Sequence, residues 1–532
     1  MRIGIFGGAF DPVHIRHTEI CRKIIGELCL SRLIVVPSFN PPHKDMPENN
    51  FFERVEMLKA ALSGCGKKDG NGSESDRPSF ESAEQCEKSV SARETAICEN
   101  AEQCEKSVSV RETAISGNVK ECEKSVSVRE TVICENTEQC EKSVGVRETA
   151  PFENAEQCEK SIDGRGKDEI NKYSGGEKDG SENCVIEISL MEYNEKKRNY
   201  AFETVREIAE KYPRAELFYI VGGDSLREFS TWKNPEKITA AASVAVVKRP
   251  GSDVGEAAEF LKKRLGARIF ISDIEEADVS SAYIRTLIAL GLDASEYLPK
   301  GVPEIISRAG LYRGFEDAVR LVGGLCSEGL FDHIKRTVLC AVKENERFGL
   351  DCPEVFLSAL FHDAAKEIKF TELKNETRAA EDFYGKNIKT AVLKIDGEWL
   401  EKRRGKIDAK YYEKLKNSEY RAPADVPAAV LHQYTGAEIA EKVFGITNEN
   451  ILGAVRFHTT AKPRMSPLEK LIYTADKIES GRDYEGVGGI RAAVKNGLDE
   501  GFLECFKTNY KHISEKRGDV GGLTKDAAEY YL

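Results

Sequence analysis

The sequence predicts a doubly wound α/β domain with a parallel sheet, followed by an all-helical domain. Three observations predict it. Apolar, β-branched runs alternate with helical periodicity up to about residue 313. Beyond about residue 316 the strand-like runs give way to helical spacing alone. Between a helix and a strand of the first part lies an acidic repeat of a quite different composition.

The elements read as follows. Ile3 to Phe6 is an apolar strand, and His17 to Leu28 is a helix candidate. Leu33-Ile34-Val35-Val36-Pro37 is a β-branched strand ending in a loop, and Phe51 to Leu62 is helical. Past the repeat, Val185 to Leu190 is a strand, Tyr200 to Lys211 a helix, and Ala215 to Val221 a strand. Ser243 to Val247 and Ala267 to Ile271 are further strands. Apolar strands alternating with helices imply a parallel sheet covered on both faces. A chain of 532 residues exceeds one ordinary core, so two or more domains are expected. The boundaries expected are 1–65 with 185–313 for the α/β domain, 66–184 for the insert and 316–532 for the helical domain.

The insert repeats a unit close to Ala-Glu-Gln-Cys-Glu-Lys-Ser-Val every 18 residues, placing cysteines at 86, 104, 122, 140 and 158. Eighteen residues are five helical turns, so a helix would align them with Val90, Val108, Val126 and Val144. Large apolar residues are few, and Gly117, Gly145 and Pro151 interrupt the later copies. We therefore expect a duplicated, polar insert that is disordered or at most marginally helical. Without a Cys-x-x-Cys pair, a metal or redox role for its cysteines is disfavoured.

Bulk properties exclude several classes. The net charge is −12, of which residues 66–184 carry −10 (17 Lys+Arg against 27 Asp+Glu). The remainder is nearly balanced, and the overall negative charge argues against a nucleic-acid backbone as the main partner. No apolar stretch is long enough for a membrane span. The N-terminus runs straight into a strand without a signal-peptide layout, and fifteen cysteines form no compact framework. A cytoplasmic protein with reduced cysteines is expected.

The chemistry concentrates in two places. The first strand ends in Gly7-Gly8-Ala9-Phe10-Asp11-Pro12-Val13-His14-Ile15-Arg16-His17. Glycines after a strand let backbone approach a ligand, and the following helix offers free N–H groups to phosphate. His14 and His17 share a face of the first turn, where two imidazoles suit the charge that grows during phosphoryl transfer. This string resembles the nucleotidyltransferase superfamily with its His-x-Gly-His hallmark, and more narrowly nicotinate-nucleotide adenylyltransferases. Pro37-Ser38-Phe39-Asn40-Pro41-Pro42-His43-Lys44, the helix from Arg54 to Leu58, Val221-Gly222-Gly223-Asp224-Ser225, Trp232-Lys233 and Ser280-Ser281-Ala282-Tyr283-Ile284-Arg285 resemble further segments of that family.

The resemblance implies a Rossmann-like fold and transfer of the adenylyl group of ATP to nicotinate mononucleotide, with Mg²⁺ screening the phosphates. His14, His17, Ser281 and Arg285 would hold the triphosphate. Gly7, Gly8, Phe10, Lys44, Gly222, Asp224, Trp232 and Arg249 would contribute to nucleotide and pyridine binding. Read alone, Trp232 is equally a rim aromatic and Arg249 equally a solvated turn. Two departures stand out: Arg16 replaces the hallmark glycine, and Ala282 replaces a threonine.

The second place is a set of His333, His362-Asp363, His432, His458 and Asp476, which uses four of the five histidines beyond residue 300. Carboxylates on apolar helices are costly unless paired or bound to metal. Imidazole with carboxylate suits Fe, Mn, Co or Zn. Six ligands exceed what one catalytic metal needs and fit a pair with a shared carboxylate. The pattern resembles HD-domain phosphohydrolases of the kind that split symmetrical dinucleoside tetraphosphates, supported by Phe457 to Thr460, Ala475 to Glu479 and Gly481-Arg482-Asp483. That resemblance implies two divalent transition metals, expected to be iron, bridged by Asp363. His333, His362 and Asp476 would complete one metal, and His432 and His458 would hold the other. Hydroxide would attack a central phosphate of diadenosine tetraphosphate, and Lys366 and Arg482 would contact phosphate. The charged stretch from about 370 to 420 reads as a surface elaboration.

The expectation is a bifunctional enzyme acting on ATP, nicotinate mononucleotide and diadenosine tetraphosphate. Two rivals stay open: an adenylyltransferase with another acceptor, such as phosphopantetheine, and a nucleotide sensor whose first domain is impaired by Arg16.

Overall fold

The computed structural model describes residues 1–39, 51–63, 184–193, 198–248, 254–275, 279–381, 387–424, 426–517 and 522–532, with short strand segments in and beside the repeat. Lys44 and Arg249, with most of the Pro-Pro-His-Lys loop, lie outside these residues. The chain forms two compact units, Met1–Lys67 with Asn171–Leu532, and Lys68–Ile170.

Six parallel strands build the N-terminal sheet: β1 (Arg2–Gly8), β2 (Arg32–Pro37), β3 (Cys184–Ile188), β4 (Glu216–Gly222), β5 (Ser243–Lys248) and β6 (Ile269–Glu275). Their order is β6-β5-β4-β1-β2-β3, with Lys172–Gly175 antiparallel on the β3 edge. Strict alternation sends neighbouring residues to opposite faces. Phe6, Leu33, Val35, Phe218 and Ile220 join a core with helices Ile15–Glu27, Phe51–Ser63 and Ser281–Ala289. Ile3, Ile5, Ile34, Val36 and Leu217 join another with helix Ala201–Lys211. Both faces are covered, as the apolar runs require. The order reverses between β1 and β4, so the crevice beyond their carboxyl ends is where such sheets take ligands.

Residues 316 to 532 are mainly helical. The helices are Glu316–Leu325, Glu328–Phe348, Cys352–Phe361, Ala409–Asn417, Leu431–Ile439, Glu449–Phe457, Pro467–Ile478, Val487–Asn496, Leu498–Arg517 and Gly522–Tyr531, with shorter turns between. Ser327, Asp351 and Ser466 cap three of them by accepting a backbone N–H. Ile334, Val338, Leu360, Phe361, Leu452 and Ile472 form the core. Among the described residues no helix is long and apolar enough to cross a membrane.

One expectation needs correction. The charged stretch contains a three-stranded antiparallel sheet, Phe370–Glu381, Asn387–Ile395 and Tyr420–Pro423, so the helical half is not all-α. The signal was present: Thr390-Ala391-Val392-Leu393 is a strand-forming run, and Val392, Leu393 and Ile395 are buried. The surrounding lysines and glutamates masked it. In the insert, the described residues form strand pairs. Ile97 pairs Ile115, and Ile115 pairs Ile133, in parallel at the 18-residue spacing of the repeat.

The structure also gives Ala282 a physical reason. Ala282, Ala289 and Leu292 pack against the core of the helical half, and Leu290 is part of it. Helix Ser281–Ala289 thus lies against helix Glu328–Phe348. Phe315, at the joint, stacks on Phe356 at 4.4 Å.

Candidate active sites

The first site lies at the β1 end of the crevice. A Cβ at Gly8 would sit 3.0 Å from the Phe10 ring, so the bare backbone lets Phe10 pack close against the strand end. Phe10 itself takes a positive φ of 51°, is buried, and meets the His17 ring edge-on at 5.0 Å. This turn delivers His14 to the cap of helix Ile15–Glu27. The His14 N–H donates to His17 Nδ1 at 3.1 Å, and the two rings lie 3.7 Å apart. An accepting Nδ1 puts the proton of neutral His17 on Nε2, which becomes a donor.

The segment from Ser280 to Arg285 closes on the same loop. Ser281 Oγ donates to Pro12 O at 3.0 Å, and Arg285 donates to Asp11 O at 2.7 Å. Two helix N-termini therefore meet at one loop, a favourable field for phosphate. Ser280 caps its helix by accepting the Tyr283 N–H and donates to Glu346 of the helical half. Arg16 lies along its own helix, paired with Glu19, which also binds Lys23 at 2.7 Å. Gly222 caps helix Gly223–Glu228 at the end of β4. Asp224 pairs with the exposed Arg227 at 2.8 Å, and Trp232 packs on Phe229 at 4.9 Å beside Tyr219. Asp224 and Trp232 thus follow the neighbouring strand end.

Sequence reasoning assigned no role to the groups that brace this loop. Arg54 is 1% exposed and donates to Ala9 O at 2.6 Å and Ser38 O at 2.8 Å. Tyr312 donates to the buried Asp11 carboxylate at 2.8 Å. A lone arginine on the apolar helix Phe51–Ser63 was the available signal. Arg54→Met is expected to cost about 3 kcal/mol, from two charge-assisted hydrogen bonds of roughly 1.5 kcal/mol each. Chemical denaturation checks this, with adenylyl transfer falling alongside.

The second site gathers the dispersed histidines and carboxylates. Ligand atoms of His333, His362 and Asp476 lie within 4.8 Å of one another, as do those of Asp363, His432 and His458. Asp363 reaches toward both groups. Its Oδ1 is 3.2 Å from His432 Nε2 and 3.4 Å from His458 Nε2, and its Oδ2 is 3.5 Å from His362 Nε2 and 3.6 Å from His333 Nε2. The short turn after helix Cys352–Phe361 places His362 and Asp363 back to back, both fully buried.

The tautomers test whether a metal fits. His362 Nδ1 faces Ala359 O at 2.7 Å and His458 Nδ1 faces Val455 O at 2.8 Å. A carbonyl only accepts, so each Nδ1 carries the proton and each neutral Nε2 presents a lone pair. Those lone pairs face carboxylate oxygens, and the Nε2 atoms of His432 and His458 are 3.2 Å apart. Acceptors converging on acceptors in a buried space fit a cation between them, with ring orientation fixed by the far nitrogen.

Electrostatics agree. Burial pushes His362 down to about 3, against the pull of Asp363 and Asp476. Burial likewise lowers His432. Burial alone would raise the Asp363 carboxyl, but His362, His432 and His458 hold it well below the usual range. Asp476 is also held well below, with burial outweighed by Lys477, His333 and His362. Neutral imidazoles beside ionised carboxylates are the states that bind divalent metal. Lys366 Nζ lies 2.7 Å from Asp363 Oδ2, and Arg482 donates to Asp476 Oδ1 at 2.6 Å. Both side chains are partly exposed at the rim, within reach of an entering anion.

A cytidylyltransferase-like family profile matches residues 5–128. A probable nicotinate-nucleotide adenylyltransferase of Citrifermentans bemidjiense is 33% identical over 330 residues, covering 59% of this chain and 98% of that protein. Its counterpart in Maridesulfovibrio salexigens is 22% identical over 326 residues, covering 58% of this chain and 96% of that protein. A symmetrical bis(5'-nucleosyl)-tetraphosphatase of Bacillus subtilis is 26% identical over 205 residues, covering 38% of this chain and 90% of its own length. With its phosphate loop, its reversed sheet order and a relative matched over nearly its whole length, the chain belongs to the nicotinate-nucleotide adenylyltransferase family.

Proposed function

We propose that the chain is a bifunctional nucleotide enzyme, with one activity in residues 1–65 and 185–313 and the other in residues 316–532. The first half joins ATP and nicotinate mononucleotide into deamido-NAD and pyrophosphate. The second cleaves diadenosine tetraphosphate symmetrically into two ADP. The observation that carries the reading is the pair of separate anion-handling centres, each matched by relatives of the corresponding activity.

In the transfer, a phosphate oxygen of the mononucleotide attacks the α-phosphorus of ATP and the bond to the β-phosphate breaks. The protein supplies position and charge, with no covalent intermediate. His17 Nε2–H and His14 donate to the triphosphate, the two helix N-termini add their field, and Ser281 and Arg285 turn from loop carbonyls toward the leaving pyrophosphate. Mg²⁺ accompanies ATP and screens its phosphates. Arg16, held along its own helix by Glu19, leaves the loop open, which supports turnover over the sensor reading.

In the hydrolysis, water adds to a central phosphorus and the bridging oxygen leaves with one ADP. We assign His333, His362 and Asp476 to one metal and His432 and His458 to another, with Asp363 shared. Two divalent metals there, iron being our first candidate, would polarise phosphoryl oxygens and acidify water. Lys366 and Arg482 are placed to leave their carboxylates for the polyphosphate as it enters.

The test is direct. Purified full-length protein given ATP, Mg²⁺ and nicotinate mononucleotide should release dinucleotide and pyrophosphate. Given diadenosine tetraphosphate, it should yield ADP alone, with about two transition metals per chain by elemental analysis. Turnover of phosphopantetheine in place of the mononucleotide would reject the first assignment. ATP and AMP as products would reject the second.

A further inference from the structure

We propose that Glu479 is a positioning residue of the hydrolytic site, one that holds His333 with Nε2 turned to the metal and is itself held by Arg336. The inference rests on the two-metal reading above.

Glu479 follows helix Pro467–Ile478, three residues after Asp476, and is only 2% exposed. Its Oε1 lies 3.2 Å from His333 Nδ1. A carboxylate accepts, so Nδ1 carries a proton and Nε2 remains the nitrogen that faces Asp476 Oδ1 at 3.1 Å and Asp363 Oδ2 at 3.6 Å. Arg482 donates toward the same Nε2 at 3.4 Å, as a lone pair there allows. His362 and His458 have their far nitrogens on backbone carbonyls of their own helices. His333 instead relies on a side chain from another helix, so its orientation depends on where that side chain is kept.

Two further contacts keep it. Glu479 Oε2 accepts from Arg336 Nε at 2.7 Å and from the Gly481 N–H at 2.6 Å. Arg336 lies three residues, about one helical turn, beyond His333 on the same helix Glu328–Phe348, so guanidinium and imidazole meet one carboxylate from one direction. A Cβ at residue 481 would stand 2.7 Å from Arg336 Nε, so a side chain there would push the guanidinium off Glu479. Arg491 fixes the backbone beneath by donating to Ile478 O at 3.0 Å and Glu479 O at 2.9 Å. The result is a chain from Arg336 through Glu479 and His333 to the metal cluster. A partner on the far nitrogen of a ligating histidine typically governs metal affinity by 10–100-fold.

The experiment titrates metal-free full-length protein with Co²⁺, read by its d–d absorption, for wild type, Glu479→Gln, Glu479→Ala and Arg336→Gln. Wild type should bind about two ions per chain. Glu479→Ala should weaken one ion by roughly 10–100-fold and leave the other unchanged. Glu479→Gln, which still offers an acceptor, should lose less, and Arg336→Gln should follow it. Thermal midpoints of the metal-free proteins should agree between wild type and Glu479→Gln. If wild type binds two ions and Glu479→Ala binds both as tightly, the positioning role is overturned and the two-metal reading stands. If wild type binds none, both fall. Equal weakening of both ions with a lower metal-free midpoint would mark Glu479 as structural and overturn the proposal.

Discussion

Asp363→Asn should abolish diadenosine tetraphosphate hydrolysis, by roughly a thousandfold or more, while leaving adenylyl transfer unchanged. The reason is that Asp363 is the residue that faces both ligand groups, with one oxygen toward each. Asparagine preserves volume but removes the negative charge that two divalent ions need between them. A thousandfold loss corresponds to about 4 kcal/mol of transition-state stabilisation, within what metal polarisation supplies. Metal content should fall with activity. Hydrolysis rates, transfer rates and elemental analysis on one preparation test the prediction. Full hydrolysis by the variant would mean that the chemistry lies elsewhere.

His17→Ala should have the opposite selectivity. It removes the donor that the His14 amide orients, because His17 Nδ1 is occupied and Nε2 carries the proton. Loss of one such donor to a developing phosphoryl charge typically costs roughly 10²–10³ in rate, about 2.7–4 kcal/mol. We expect that loss in kcat/KM for ATP, with hydrolysis of diadenosine tetraphosphate intact. A uniform loss of both activities would point to a folding defect, which the thermal midpoint would reveal. A variant at wild-type rate would remove His17 from the mechanism.

Much of the fold was legible because its signals are local. The apolar runs at Ile3, Leu33, Leu217 and Val244 are strands whichever way the chain is read, and their alternation with helices leaves few topologies. The metal-ligand candidates were legible because histidine is scarce here and a buried His-Asp pair is costly without a partner. What escaped was non-local. Arg54 acts on carbonyls 16 and 45 residues away, and Glu479 acts on a histidine 146 residues upstream. Neither distance carries a spacing rule. The small sheet around Val392 escaped for another reason, since its strands carry lysine and glutamate that read as loop composition.

The helix Ser281–Ala289 bears on how the two catalytic halves can be handled and inherited. Its Ala282 and Ala289, with Leu290 and Leu292 beyond, are sheltered by the neighbouring half. A gene cut at the joint would hand each product a bare, greasy seam, next to the histidine-bearing loop in one case and next to the helices that carry the candidate ligand set in the other. Reversing the fusion would therefore call for resurfacing as well as a new stop codon.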